Sequence, residues 1–188
     1  MDTNGLKARI AETLVEGILR RAGYEVALAA RESRVPNLLK VGSTGFMPDL
    51  VAWKPANGAH SVTPRLVAIA VKYRADVEGA LSREAPQFSS DVEQWHDLHF
   101  ILVTDHPEPR RSCFQVVDLR QCPAGAPWST VDLHEAGDLD IDWRTVEEYE
   151  CLVKMVFPVL SGNTGADEIA RKPPRTVSGR ITAVRACR

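Results

Sequence analysis

The run Leu66-Val67-Ala68-Ile69-Ala70-Val71 is apolar throughout and closes on Lys72-Tyr73-Arg74. A strand with one face in water alternates apolar and polar residues, whereas an unbroken apolar run of this length suits a strand covered on both faces. The chain is therefore expected to lay helices over both sides of a sheet, the α/β arrangement. A shorter run, Leu50-Val51-Ala52-Trp53, precedes it and is opened by Pro48-Asp49; a turn-rich connection from Pro55 to Pro64 joins the two. An acid thus opens one strand, and an ammonium group stands near the end of the next.

The rest of the chain falls into the same pattern. Ile10, Leu14 and Ile18 recur every four residues, with Val15 and Ala22 widening the stripe, which predicts a helix over Leu6–Ala22 ended by Gly23. Strands are expected at Tyr24–Leu28, Leu50–Trp53, Leu66–Lys72, His99–Thr104 and Phe114–Leu119, with helices over Pro86–Leu98 and Trp143–Phe157, the last stopped by Pro158. The segments 31–48 and 120–142 read mostly as loop. Within Trp143–Phe157, the residues Tyr149, Leu152, Val153, Val156 and Phe157 read first as a core-packing face and second as an interface.

Composition sets the outer limits. A chain of 188 residues with 44% hydrophobic and 26% charged residues fits one domain with a core of its own. The domain is expected over residues 1–160, followed by a basic tail over 161–188 that carries Arg171, Lys172, Arg175, Arg180, Arg185 and Arg188. Such a tail either lies along phosphates or is simply solvated. Net charge is −2, so the chain as a whole is no polycation. No apolar run approaches the roughly 18 residues a membrane span needs, and Met1-Asp2-Thr3-Asn4-Gly5 does not resemble an export signal, so a cytoplasmic protein without membrane contact is expected. The four cysteines, Cys113, Cys122, Cys151 and Cys187, include no C-x-x-C pair and are expected to be reduced thiols rather than zinc or iron–sulfur ligands.

The residues around Asp49 and Lys72 suit phosphodiester hydrolysis. That reaction needs a nucleophilic water, neutralisation of charge on the phosphoryl oxygens and help for the leaving oxygen, all of which magnesium can supply. Magnesium takes one or two carboxylates, with water and substrate phosphate completing its shell. A neighbouring lysine can hold or deprotonate the water and offset charge in the transition state. Positions 70 and 72 share one face of their strand, so a carboxylate at 70 would complete a pocket with Asp49 and Lys72. The chain has Ala70 there, whose methyl group binds no metal, although the backbone carbonyl of Val71 remains a possible ligand. Glu12 lies at the edge of the first helix's apolar stripe, either as a boundary residue or as an acid reaching over the sheet end.

These features together resemble the PD-(D/E)xK nuclease superfamily, which includes restriction-endonuclease-like and Holliday-junction-resolvase-like enzymes. Pro48-Asp49 is similar to its PD, and Ala70-Val71-Lys72 to its (D/E)xK with the acid replaced. Ala11-Glu12-Thr13-Leu14-Val15-Glu16 through Ala22-Gly23-Tyr24 resembles its opening helix. The likeness covers roughly residues 5–118. It implies an αβββαβ core, a mixed sheet flanked by helices, and Mg2+- or Mn2+-dependent cleavage of DNA, with a setting in restriction or anti-phage defence. It also implies Asp49 as metal ligand, Lys72 beside the attacking water and Glu12 as an auxiliary ligand.

Three accounts of Ala70 stay open: an inactivated form of a parent with glutamate at that position; an acid supplied instead by Asp76, Glu78, Asp91 or Glu93; or a pseudonuclease that binds nucleic acid or a partner without cutting. DNA is the expected partner, with RNA, a homodimer or a larger assembly also open. Arg74, Tyr73 and Gln94, with Gln87 a weaker choice, are the candidate phosphate contacts, set against a salt bridge for Arg74 and plain surface positions for the glutamines. His60, His96, His99 and His106 lack the paired spacing of a zinc protease and read as structural or surface residues. Ser43-Thr44-Gly45 lacks the pattern of a P-loop.

Overall fold

The structure, a computed structural model, describes residues 2–29, 46–54, 65–95, 97–118 and 128–162. The connection 55–64, residues 30–45 and the tail from residue 163 onward lie outside the described residues, as do Leu119, His60 and His96. The first helix, α1, spans Thr3–Arg21, and the Asp2 side chain caps it by accepting the Gly5 N–H. Its end is a Schellman turn: Tyr24 N–H donates to Leu19 O (3.0 Å) and Gly23 N–H to Arg20 O (3.1 Å). Gly23 sits at φ 87, where a side chain would be strained, which is why glycine stands there.

Six strands follow in spatial order β1 to β6: Glu25–Leu28, Leu50–Trp53, Leu66–Tyr73, Leu98–Val103, Phe114–Val117 and Thr130–Asp132. Helix α2, Val77–Gln94, crosses between β3 and β4, which run parallel; the other neighbours are antiparallel. A short 3-10 turn, Leu133–Glu135, leaves β6, and α3 spans Trp143–Leu160. The expected α/β architecture, a mixed sheet between helices, is what is found.

The two faces of β3 belong to different layers. Val67, Ile69, Val71 and Tyr73 join Ala11, Val15 and Ile18 of α1 and Val146, Val153 and Phe157 of α3 in one core. Ala68 and Ala70 join Leu81 of α2 with Leu98, Phe100 and Leu102 of β4 in the other. This double cover explains the unbroken apolar run, and each large side chain so buried contributes about 1.5–3 kcal/mol. Helices α1 and α3 meet closely at Gly17, where a Cβ would lie 2.6 Å from the Tyr149 hydroxyl. Helix α3 also has a second stripe, Leu152, Met155, Val156 and Val159, that faces solvent, so only part of its apolar surface is core.

Several boundaries differ from expectation. The second helix begins at Val77, not Pro86, because the Asp76 side chain accepts the Gly79 N–H (2.9 Å) and caps it nine residues earlier. It ends by Gln94, and Asp97 at φ 60 turns the chain into β4, so Leu98 is a strand residue. Helix α3 runs through Pro158 to Leu160. The segment 120–142, expected as loop, holds β6 and the 3-10 turn; a three-residue strand is too short to declare a period.

Candidate functional site

Strand β2 pairs with β3 only over Leu66–Ile69. Beyond that point, among the described residues, Asp49 continues the edge of β3. Its N–H donates to Ile69 O (2.9 Å), its carbonyl accepts the Ala29 N–H (3.1 Å), and its carboxylate Oδ2 accepts the Val71 N–H (2.7 Å). Strand N–H groups lie in the plane of the sheet, so this carboxylate sits at the sheet's edge rather than over either face. A strand residue's N–H and C=O point to the same side, which turns the Val71 carbonyl toward the same edge. Lys72 follows, half-buried, on the face that carries Ala68 and Ala70.

Ala70 is fully buried, packed with Leu81, Phe100 and Leu102, with Phe46 at the border of the cluster. The position expected to hold an acid is therefore a methyl group under α2. Glu12, half-buried on α1, belongs to the layer on the opposite face. Asp49 thus meets the Val71 backbone one residue before Lys72, while Glu12 stands on the helix that covers the other face of the sheet. Of the acids proposed as replacements, Asp76 is an exposed helix cap, Glu78 is exposed, Asp91 is buried on α2 (2% exposed), and the Glu93 side chain lies outside the described residues.

The expected phosphate contacts fare less well. Tyr73 is a correction: it is 7% exposed, packs edge-on against Phe157 with ring centroids 5.4 Å apart, and its hydroxyl bonds to Lys7 and Asp105. Its aromatic ring is core, and strand alternation puts it on the α1 side. Arg74 forms a two-pronged pair with Glu84, Nε to Oε1 (2.5 Å) and Nη2 to Oε2 (2.7 Å), so the salt bridge is the arrangement found. Gln94 closes α2, and its side chain and that of Gln87 lie outside the described residues.

Two clusters escaped sequence reasoning. Lys7 is 3% exposed, and its ammonium donates to Asp105 Oδ2 (2.6 Å) and to the Tyr73 hydroxyl (3.0 Å), while Tyr73 donates to Asp105 Oδ1 (2.8 Å). Burial alone would lower the Lys7 pKa, but the bonds to Asp105 and Tyr73 outweigh it and raise the value. For Asp105, burial alone would raise the value, and the bonds from Lys7, Tyr73 and His106 outweigh it to bring it below the usual carboxylate range. Lys7 lies one helical turn before Ala11 on α1's inward stripe, a signal that could have exposed it. The second cluster, Asp132, His134 and Glu135, surrounds the 3-10 turn near a cavity of about 360 Å³. Its three residues sit within four positions, but on a segment expected to be loop.

Comparison of the chain with protein-family models, with curated proteins and with solved structures gives no match. The chemistry of the site rests on its own residues. Asp49 offers oxygen at the β2-side edge of β3, Val71 offers a carbonyl there, and Lys72 offers a cationic donor one residue on. Among the described residues no helix is long and apolar enough to cross a membrane.

Proposed function

We propose that this chain carries a restriction-endonuclease-like αβββαβ core and the centre of a magnesium-dependent nuclease in which residue 70 lacks its acid. The observation that carries the reading is the Asp49 carboxylate on the Val71 amide, past the end of β2–β3 pairing and one residue before Lys72. The order helix, three antiparallel strands, helix, parallel strand supports it.

The residues present suit a divalent cation held by few protein ligands. A carboxylate that accepts one hydrogen bond keeps further lone pairs, and magnesium is commonly bound by one or two carboxylates with water and phosphate oxygen. Asp49 and the Val71 carbonyl would hold the ion, with Glu12 as an auxiliary ligand. When bound, such an ion polarises the phosphoryl group and acidifies water. Lys72 would offset charge on the phosphoryl oxygens or orient the water. The backbone bond fixes the Asp49 carboxylate before any ligand arrives, which spares the site an ordering cost.

The buried methyl of Ala70 favours a second reading of the chain as it stands, a domain that binds nucleic acid without cutting it. One experiment separates the two. Plasmid and single-stranded DNA are incubated with Mg2+ or Mn2+ and either the chain or its Ala70→Glu variant. Cleavage confined to Ala70→Glu, and lost again on adding Asp49→Asn, supports the silenced nuclease. Salt-sensitive DNA binding with no cleavage by either form supports the binding domain. Absence of both cleavage and binding sinks the two readings together.

A further inference from the structure

We propose that the corner where β6 enters the 3-10 turn is a second cation site, built for a divalent transition ion of the zinc type by Asp132, His134 and Glu135. One ligand atom from each residue lies within 4.8 Å of the other two. The local sequence explains the grouping. Leu133 is fully buried and anchors the turn in the core. Asp132 ends β6 in an extended conformation as the N-cap of the turn, and His134 and Glu135 follow within the turn itself.

The independent sign of a ligand is Asp132 itself. The residue is 7% exposed, and its Oδ1 is buried and accepts no hydrogen bond from the described residues. Arg111 brings Nε to 3.4 Å from that oxygen as an ion pair without hydrogen-bond geometry. Its Nη2 is committed elsewhere, to Thr130 Oγ1 (2.6 Å), Thr130 O (2.8 Å) and Gln115 Oε1 (3.2 Å). A buried carboxylate oxygen left in that state is costly, and an ion at the corner would satisfy it.

The surroundings permit entry and favour positive charge. Asp132 and His134 line the cavity of about 360 Å³ with Glu147 and Glu150, facing Arg110 and Arg111. The lining holds three carboxylates against two guanidinium groups, with Glu150 also paired to Lys154 (3.1 Å). An imidazole with two carboxylates is a zinc-type set, whereas magnesium prefers oxygen alone. Tetrahedral zinc places its ligand atoms about 3.4 Å apart, given bonds of about 2.1 Å, so small side-chain rotations would close the trio on the ion. The fourth position would go to water from the cavity. This site shares no residue with the Asp49 centre and involves none of the cysteines.

The test is calorimetric titration of Zn2+ into the full chain, with accessible thiols alkylated and excess Mg2+ present to fill oxygen-only sites. One zinc ion per chain should bind. His134→Ala and Glu135→Gln, neither of them in the core, should each weaken binding at least about tenfold, with circular dichroism showing both variants folded. Asp49→Asn should leave the titration unchanged, so this proposal and the nuclease reading can fail separately. No zinc binding, binding that survives both turn substitutions, or binding lost with Asp49→Asn would overturn it.

Discussion

The Asp49 carboxylate accepts the main-chain N–H of Val71 at 2.7 Å and so takes the place that the next residue pair of β2 and β3 would have filled. The bond gives Asp49 a structural role that can be separated from any role in binding metal. Asp49→Ala leaves the Val71 amide without this acceptor and should cost about 1.5–3 kcal/mol, the usual worth of a hydrogen bond to a charged group. Asp49→Asn keeps a side-chain oxygen at the same reach and should cost about 1 kcal/mol or less. Urea denaturation of the three proteins measures the difference. If Asp49→Ala unfolds at the wild-type urea concentration, the carboxylate does not hold that edge.

The Lys7–Asp105 pair should matter more to stability than any surface ion pair. Its side chains are 4% and 0% exposed, and it ties the first turns of α1 to the loop after β4. Removing one member of a buried pair strands the other, so Lys7→Met should destabilise by about 3–5 kcal/mol. The combined Lys7→Met and Asp105→Leu variant should lose less than Lys7→Met alone, because no charge is left stranded. A double variant at least as unstable as the single one would mean that Asp105 acts chiefly through Tyr73 and His106.

The same pair predicts how stability depends on pH. The folded-state pKa of Asp105 lies below its unfolded value, so its contribution is present above about pH 4 and is lost as pH falls through the folded value. That of Lys7 is raised, so its contribution is present below about pH 10 and is lost as pH climbs through the folded value. Between those limits the pair should add a constant increment. Urea midpoints measured from pH 3 to pH 10 should show the gap between wild type and Asp105→Asn shrinking only toward the acid end. A gap that stays constant below pH 4 would show that Asp105 keeps an ordinary carboxyl titration.

What could be read from the chain, and what could not, divides along the range of the forces involved. The unbroken run into Lys72 announced a doubly covered strand because burial on two faces leaves no polar alternation, and Gly23 announced a helix end because only glycine takes that turn cheaply. Pro86 misled because proline is a common first residue of helices, whereas the cap at Asp76 is one short side chain among several polar residues. Asp49 could be singled out as a motif, but not its bond to Val71, which depends on where β2 stops pairing. Tyr73 looked like a neighbour of Arg74 in sequence; the strand's alternation sends the two to opposite faces. Lys7 and Asp105 stand 98 positions apart, and nothing local pairs them.

Cys113 should be chemically silent until the whole domain opens. It begins the entry to β5 fully buried, and burial pushes its thiol pKa up to about 12, with the Glu150 carboxylate adding to the shift. Glu150 also accepts the Cys113 N–H (3.0 Å) and the Ser112 hydroxyl (2.5 Å), which keeps this negative charge beside the sulfur. At pH 8 the thiolate, the form that reacts, would amount to on the order of one part in ten thousand. Cys151, half-buried on α3, lacks that full enclosure. Iodoacetamide at pH 8, followed by peptide mass mapping, should therefore label Cys151 well before Cys113. Cys113 labelling should rise only across the urea transition, in step with global unfolding rather than with local opening. Equal labelling of both thiols in the native protein would mean that the contact between β5 and α3 opens on its own.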